Sequence, residues 1–448
     1  MTQSLETLGA ALLDAARRAG ADSADTLVMQ GTSLSIDIRG GKLEQAERAE
    51  AVDLGLRVLL GRRQAIVSSS DTSQTTINAM AERAVAMARE APEDPFTGLA
   101  APEQLASDWD AAALEMADPA PEPAPADLER DAQRAEAAGL AVSGVSQVQS
   151  ANASYGAHRV HLAASNGFAG SYARTSRSIS CVAIAGTGTG MERDHDGESR
   201  IFQADLPAAD QIGRQAGTRA VQRLNARKPT TGSFPVLFDE RVSASLVGHL
   251  MAAINGSAIA RGSSWLADRL GQPVLPDGMS LIEDPHRARA AGSRPFDAEG
   301  LPTRRRAIIE NGILTGWTLD LSSARKLNMA PTGNAARGVS SPPSPANWNL
   351  QLTQGDATRD QLIADMGTGL LVTSMIGSTI NPNTGDYSRG AAGFWVQNGE
   401  ITWPVNECTI AGNLRDMLCR IVPANDARPH LSRVVPSLLI EGMTLAGN

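Results

Sequence analysis

The sequence holds three cysteines, Cys181, Cys408 and Cys419. They are too few and too scattered for a disulfide framework or a Cys-x-x-Cys metal site, which suits a reduced compartment. No run of about 18 apolar residues exists for a membrane span. The start, MTQSLETLGAALLDAARRAG, has no basic segment ahead of its apolar one, as a secretory signal requires. Cytoplasmic residence without a membrane partner is therefore expected. Basic clusters are scarce too. A net charge of −9 and a pI near 5.3 disfavour nucleic-acid binding, because neutralising phosphates takes clustered Lys and Arg. The one compact basic run, Arg304 to Arg306, opens a predicted hairpin and reads as a solvated strand end.

What is present is a chain of 448 residues with 42% hydrophobic content, enough for about three domains with buried cores. Residues 1–117 form the first. Leu5, Leu8, Leu12 and Ala15 recur at helical spacing, strands alternate around a Gly40–Gly41 turn, and a helix from about Asp71 buries Ile77, Met80, Ala84 and Met87. Residues 118–230 repeat that order after a proline-rich segment, DPAPEPAPAD, expected to be an extended, semi-rigid linker. A helix near Leu128–Ala138 precedes strand-like GVSQVQSANAS, HRVHLAAS and SYARTSRSISCVAIAG, with a turn at Asn166–Gly167. A helix bearing Ile212, Ala216, Ala220 and Leu224 closes the unit. Residues 231–448 open with a strand, SFPVLF, and then a helix. Asn311–Gly312 and Asn398–Gly399 each lie between alternating runs and signal type I′ hairpins, so this part is β-rich. SSPPSPANW, at Ser340 to Trp348, reads as an irregular surface loop. The fold class is α+β, two helix-flanked antiparallel units followed by a β-rich C-terminal domain.

Several patterns invite chemistry and have simpler readings. His158 and His161 are three apart on a predicted strand and point to opposite faces, so they cannot share a metal. MERDHDGESR, with Glu192, Asp194, His195, Asp196 and Glu198, matches no EF-hand spacing and reads as a charged loop. GTGTG at Gly186 to Gly190 lacks the Lys-Ser/Thr of a P-loop. Ser245 and His249 are four apart on a helix and could form a dyad, but no oxyanion hole or strained nucleophile turn accompanies them. A lone helical His such as His249 is in general a hydrogen-bonded structural residue.

The block FDERVSASLVGHLMAAINGSAIARGSSWLADRLG, from Phe238 to Gly271, resembles the C-terminal domain of the TldD/TldE (PmbA) family. So do PFDAEGLPTRRRAIIENGILTGWTLDLSSARKLN, GTGLLVT and GDYSRGAAGFWVQNGEITWPV, and weaker similarity reaches the N-terminus. In the TldD branch the helix carries HExxxH and a later segment supplies a Cys, a zinc site with Glu as base. Carried across, the first His is Ala244, the Glu is Ser245, the second His is His249 and the Cys is Ala391. The resemblance thus implies the TldE/PmbA branch, with no metal in this chain and zinc in a TldD-like HExxxH partner. It implies that the pair degrades extended peptides, as relatives do in maturing a peptide antibiotic and removing an antitoxin. Asp386, Tyr387, Ser388 and Arg389 would border the site or its interface. A stand-alone homodimer that binds peptides without cutting them is the second reading, and a hydrolase using Ser245 and His249 the third.

Overall fold

The structure, a computed structural model, describes residues 3–447 and, within them, every side chain except that of Ser378. Ser4 accepts from the Thr7 amide and so caps α1 (Leu5–Arg18), which buries Leu5, Leu8, Leu12 and Ala15 as their spacing predicts. A meander follows: β1 (Ser23–Arg39), β2 (Lys42–Leu60) and β3 (Arg63–Ser69), turned at Gly40 and Gly41, whose φ of 61° and 71° suits glycine. α2 (Gln74–Glu90) starts later than predicted. Asp71 accepts from the amide and hydroxyl of Ser73, which is the true N-cap. Ile77, Met80 and Ala84 are buried as expected, but Met87 lies just past the edge of the stripe and is 48% exposed, while Val85 and Ala88 are covered.

The second unit has the same order: α3 (Pro125–Leu140), β4 (Val145–Ala164), β5 (Ala169–Ala185), β6 (Glu192–Arg200) and α4 (Ala209–Gln222). α3 begins inside the proline-rich segment, since Pro at the first helical position forfeits no needed hydrogen bond. The preceding residues pack against the sheet: the Asp118 amide donates to Thr175, and its carboxylate accepts from the Gln203 amide. The two segments read as separate strands before Asn166–Gly167 are one strand, β4, irregular only near Val145–Ser150. The expected charged loop is the edge strand β6. Its acids at 192, 194, 196 and 198 recur every second residue, a strand period, and arginines hold them in place: Arg219 lies 2.6 Å from Asp196 and Arg241 3.2 Å from Asp194. Leu224 falls beyond α4, though it still packs on the core.

β1 and β4 pair antiparallel from Asp25↔Ala164 to Ile38↔Ala151, so the two meanders fuse into one sheet ordered β3-β2-β1-β4-β5-β6. Strand alternation sends Ala24, Val28, Leu34, Ile36 and Ile38 towards the helices. Leu27 points the other way, against Val160, Leu162 and Phe296. The α3–α4 crossing is close: a Cβ on Gly213 would lie 1.9 Å from the Ala135 carbonyl oxygen.

The C-terminal domain comprises β7 (Gly232–Phe238), α5 (Glu240–Ala253), α6 (Gly256–Ala260), β8 (Leu281–Glu283), β9 (Arg306–Glu310), β10 (Ile313–Leu314), α7 (Leu321–Lys326), β11 (Ala335–Ala336), β12 (Ser344–Pro345), β13 (Leu350–Leu352), α8 (Arg359–Met366), β14 (Gly369–Ile380), β15 (Asp386–Gln397), β16 (Glu400–Asn413), α9 (Leu414–Leu418), β17 (Val422–Pro423), β18 (Arg433–Val434) and β19 (Leu438–Ala446). One sheet is ordered β16-β15-β14-β7-β19-β17, and β16 also pairs with β19, so five of its strands form a closed ring without free edges. A second is ordered β10-β9-β8-β13-β18, and β11 and β12 form a two-stranded pair. Asn311–Gly312 and Asn398–Gly399 take positive φ throughout, as type I′ turns require.

Two expectations hold only in part, for one reason, a buried carboxylate: Arg304 and Arg305 are exposed, as are Ser340, Ser341 and Pro342, but the far end of each segment turns inward. Arg306 is not a solvated strand end: its Nε donates to Glu283 at 2.8 Å and its Nη1 to the Trp317 carbonyl at 2.9 Å. SSPPSPANW is not a plain surface loop: Ser344–Pro345 pairs with β11, and the Trp348 amide donates to Glu283 at 2.7 Å with its ring buried. Glu283 is 1% exposed and has to be satisfied internally, which draws both segments inward. No helix among the described residues is long and apolar enough to cross a membrane.

Candidate functional site

Asp239 caps α5 by accepting from the Arg241 amide, and the helix runs without interruption through Ala244, Ser245 and His249. On β15, residues two apart share a face, which puts Tyr387, Arg389 and Ala391 on one side and Asp386 and Ser388 on the other. Of these, Tyr387 and Ala391 are buried, at 2% and 4% exposure.

The two elements meet at His249 and Tyr387, whose rings pack edge to face with centroids 6.0 Å apart. The Tyr387 hydroxyl donates to Met375 Sδ at 3.3 Å, and burial pushes its pKa up to about 12. Arg389 donates through Nε to the Gly377 carbonyl at 2.8 Å, so a backbone oxygen holds it. Desolvation first, and the Arg389 charge second, hold the His249 pKa below its ordinary value of 6.5. His249 Nε2 is buried and has no hydrogen-bond partner among the described residues.

The remaining positions are apolar or locally satisfied. Ala391 belongs to the main core cluster with Tyr387 and Cys408, and Ala244 packs against that cluster. Cys408 Sγ donates to the Ala391 carbonyl at 3.1 Å, and burial pushes its thiol up to about 11. Ser245 Oγ donates to the Val242 carbonyl at 2.7 Å, a bond within its own helix that leaves His249 out. Asp386 is exposed and caps the turn before β15: it accepts from Thr384 at 2.6 Å and Asn413 at 3.1 Å, which lowers its pKa.

These residues do not fit a zinc ion. Two of the positions that would supply ligands carry methyl groups, Ala391 in the core and Ala244 against it, and the third faces a tyrosine ring. Among the described residues no group of three or more His, Cys, Asp or Glu side chains is placed to hold a metal. His158 and His161 are separated by the sheet: His161 lies against Gly9 of α1, while His158 is exposed on the opposite face.

Sequence reasoning missed Met375 and the Gly377 carbonyl, which hold Tyr387 and Arg389. It also missed a set of buried acids, Asp297, Glu299 and Asp320, although PFDAEG was in view. Their signal was acids set among apolar residues with no Lys or Arg beside them.

Three domain families match the sequence. They are the PmbA/TldA metallopeptidase domain 1 over residues 24–88, the central domain over 118–224 and the C-terminal domain over 231–447. Metalloprotease PmbA of Escherichia coli O157:H7 is 39% identical over 430 residues, covering 95% of this chain and 92% of that protein. A PmbA homolog of Haemophilus influenzae is 38% identical, with 97% and 94% covered. A crystal structure from Bacteroides thetaiotaomicron superposes with a TM-score of 0.92 at 27% identity, over 100% of both chains. TldE from Thermococcus kodakarensis superposes at 0.84 and 18% identity, covering 98% of this chain and 100% of that one, a likeness of fold.

Proposed function

The chain belongs to the PmbA/TldD metallopeptidase family, and from that premise we propose that it is the non-metal subunit of a cytoplasmic two-chain zinc peptidase acting on unfolded or extended peptides. The observation that carries this reading is the state of the degenerate site: Ala244 and Ala391 sit in or against the core, and the His249 ring packs on Tyr387. A chain built this way contributes enclosure and a partner-facing wall, while a TldD-like HExxxH subunit contributes zinc and base. Several relatives carry the name metalloprotease, and an activity of that kind in this protein then belongs to the pair. An extended peptide can enter a closed chamber by adding a strand, whereas a folded domain cannot.

Mixing the purified chain with its HExxxH paralogue tests the proposal. Peptidase activity that neither shows alone, lost on chelation, is the expected result. A paralogue fully active alone that elutes separately from this chain at micromolar concentration would overturn it and leave the stand-alone peptide-binding reading. The third reading, a Ser245–His249 hydrolase, is disfavoured because the Ser245 hydroxyl is already committed to Val242.

A further inference from the structure

Between the C-terminal domain and the face of the N-terminal sheet turned away from its helices lies a cavity of about 240 Å³. Leu27, Val160 and Leu162 form its sheet side, and Phe296 and Trp348 close it from the other domain. Three arginines also line it: Arg174 from β5 and Arg294 and Arg337 from C-terminal loops.

Two of these guanidiniums, those of Arg174 and Arg294, are short of counter-charge. Arg174 donates to the carbonyls of Ser293, at 2.7 Å, and Ala291. Arg294 donates to the Ser293 carbonyl at 2.7 Å and lies over the Trp348 ring at 5.2 Å. Both side chains are partly buried, and among the described residues neither is in an ion pair with a carboxylate, whereas charges withdrawn from water are normally paired. Burial, reinforced by the charge of Arg294, pulls Arg174 down to about 10, and burial lowers Arg294 as well. Arg337 supplies an independent sign. Its side chain is 2% exposed and pairs with Asp25, yet its Nε is buried with no hydrogen-bond partner among the described residues. One acid, Asp297, also faces the cavity, but its oxygens already accept the amides of Glu299, Leu301 and Ala335.

We propose that this cavity is a binding site for a carboxylate that carries an apolar group, the anion resting between Arg174 and Arg294 and the apolar part against Leu162, Phe296 and Trp348. The volume is below the roughly 300–1,000 Å³ of drug-sized pockets, so it takes one residue-sized group. The nearby Asp297 opposes a doubly charged phosphate more than a monoanion, and paired guanidiniums suit the flat geometry of a carboxylate. Such a group could be the C-terminus of a peptide ending in an aromatic or branched residue, or a free small acid.

Calorimetric titration of the full chain distinguishes these sources. The probes are acetyl-Ala-Ala-Phe with a free carboxylate, the same peptide as its C-terminal amide, and 3-phenylpropionate. The free-carboxylate peptide or phenylpropionate is expected to bind, and the amide at least ten-fold more weakly than the acid. Tighter binding of the peptide identifies a chain terminus, and equal binding identifies a small acid. R294Q and R174Q should each weaken the acid ten-fold or more. Absence of binding by both acids, or equal affinity for acid and amide, overturns the site. The acid–amide comparison needs only the unmodified chain, so it decides the matter even if a variant fails to fold. No zinc subunit is present, so a negative result leaves the proposed partnership standing.

Discussion

His249 and Glu299 are both ionisable groups withdrawn from water, and burial favours the neutral form of each, lowering the pKa of the imidazole and raising that of the carboxyl. For His249, desolvation and Arg389 favour the neutral ring. If a partner chain holds the metal, as proposed, a neutral, ring-packed imidazole should be dispensable for chemistry. His249→Ala is expected to leave the reconstituted peptidase within a few-fold of wild type. A loss of about 1000-fold with the fold intact, equivalent to about 4 kcal/mol, would put this ring in the transition state. Glu299 is fully buried beside Asp297, and desolvation, then that neighbouring charge, raise it from 4.5 to about 8. Its folded pKa exceeds the unfolded one, so its contribution to stability is full below pH 4.5 and is lost as pH rises through about 8. Glu299→Gln keeps an acceptor for the Leu321 amide and removes that titration. Urea denaturation from pH 5 to 9 should show wild type losing stability by a few kcal/mol more than the variant, at about 1.4 kcal/mol per pH unit between the two values. Parallel pH profiles for the two proteins would rule the linkage out.

Among the elements, the β14–β15 ladder controls the geometry of the site, because β15 carries Tyr387, Arg389 and Ala391. Its register shifts between Ala391 and Gly393 against β16, and between Val372 and Ser374 against β14. Gly393 sits at that irregularity with its missing side chain pointing at β14: a Cβ there would lie 1.9 Å from the Leu371 carbonyl oxygen and 2.9 Å from its carbon. Backbone cannot yield as a flexible side chain can. Gly393→Ala should lower stability by about 1–3 kcal/mol, the range for overpacking a dense core, seen as a drop in the thermal midpoint. An unchanged midpoint would mean that the ladder relaxes freely and does not fix the site.

For the whole molecule, the decisive contacts join the N-terminal sheet to the C-terminal domain. Asp25 on β1 accepts from Arg57 on β2, at 2.8 Å from its Nε, and from Arg337 of the C-terminal domain. Burial works to raise Asp25, but the two guanidiniums outweigh it and hold the carboxyl below 3.8. Arg325 donates to the Phe96, Gly98 and Leu99 carbonyls, and Arg428 bridges Glu198 of β6 and Glu240 of α5. Asp25→Ala removes one anion and strands two buried cations, so a loss of about 3–5 kcal/mol is expected by chemical denaturation. A loss below about 1 kcal/mol would show that water reaches the arginines and that the domains are held by their apolar contacts instead.

What the sequence determined by itself was local or carried by long segments that resemble the family. Leu5, Leu8 and Leu12 announced α1 because helical spacing is a property of neighbours in the chain, and Asn311–Gly312 and Asn398–Gly399 announced their hairpins because few residues tolerate both positive φ values. The blocks around His249 and Arg389 were enough to indicate the family, and the substitutions at Ala244 and Ala391 were visible letter by letter. The charged run 192–200 was misread because its composition was weighed above its period of two. Other features had no local signal. The fusion of two meanders through β1 and β4, the Tyr387 ring against His249, the neutralisation of Arg306 by Glu283 and the unpaired Arg174 and Arg294 all join residues far apart in sequence. Burial decides their partners, and burial exists only once the sheet, the strand ring and the loops between them have packed together.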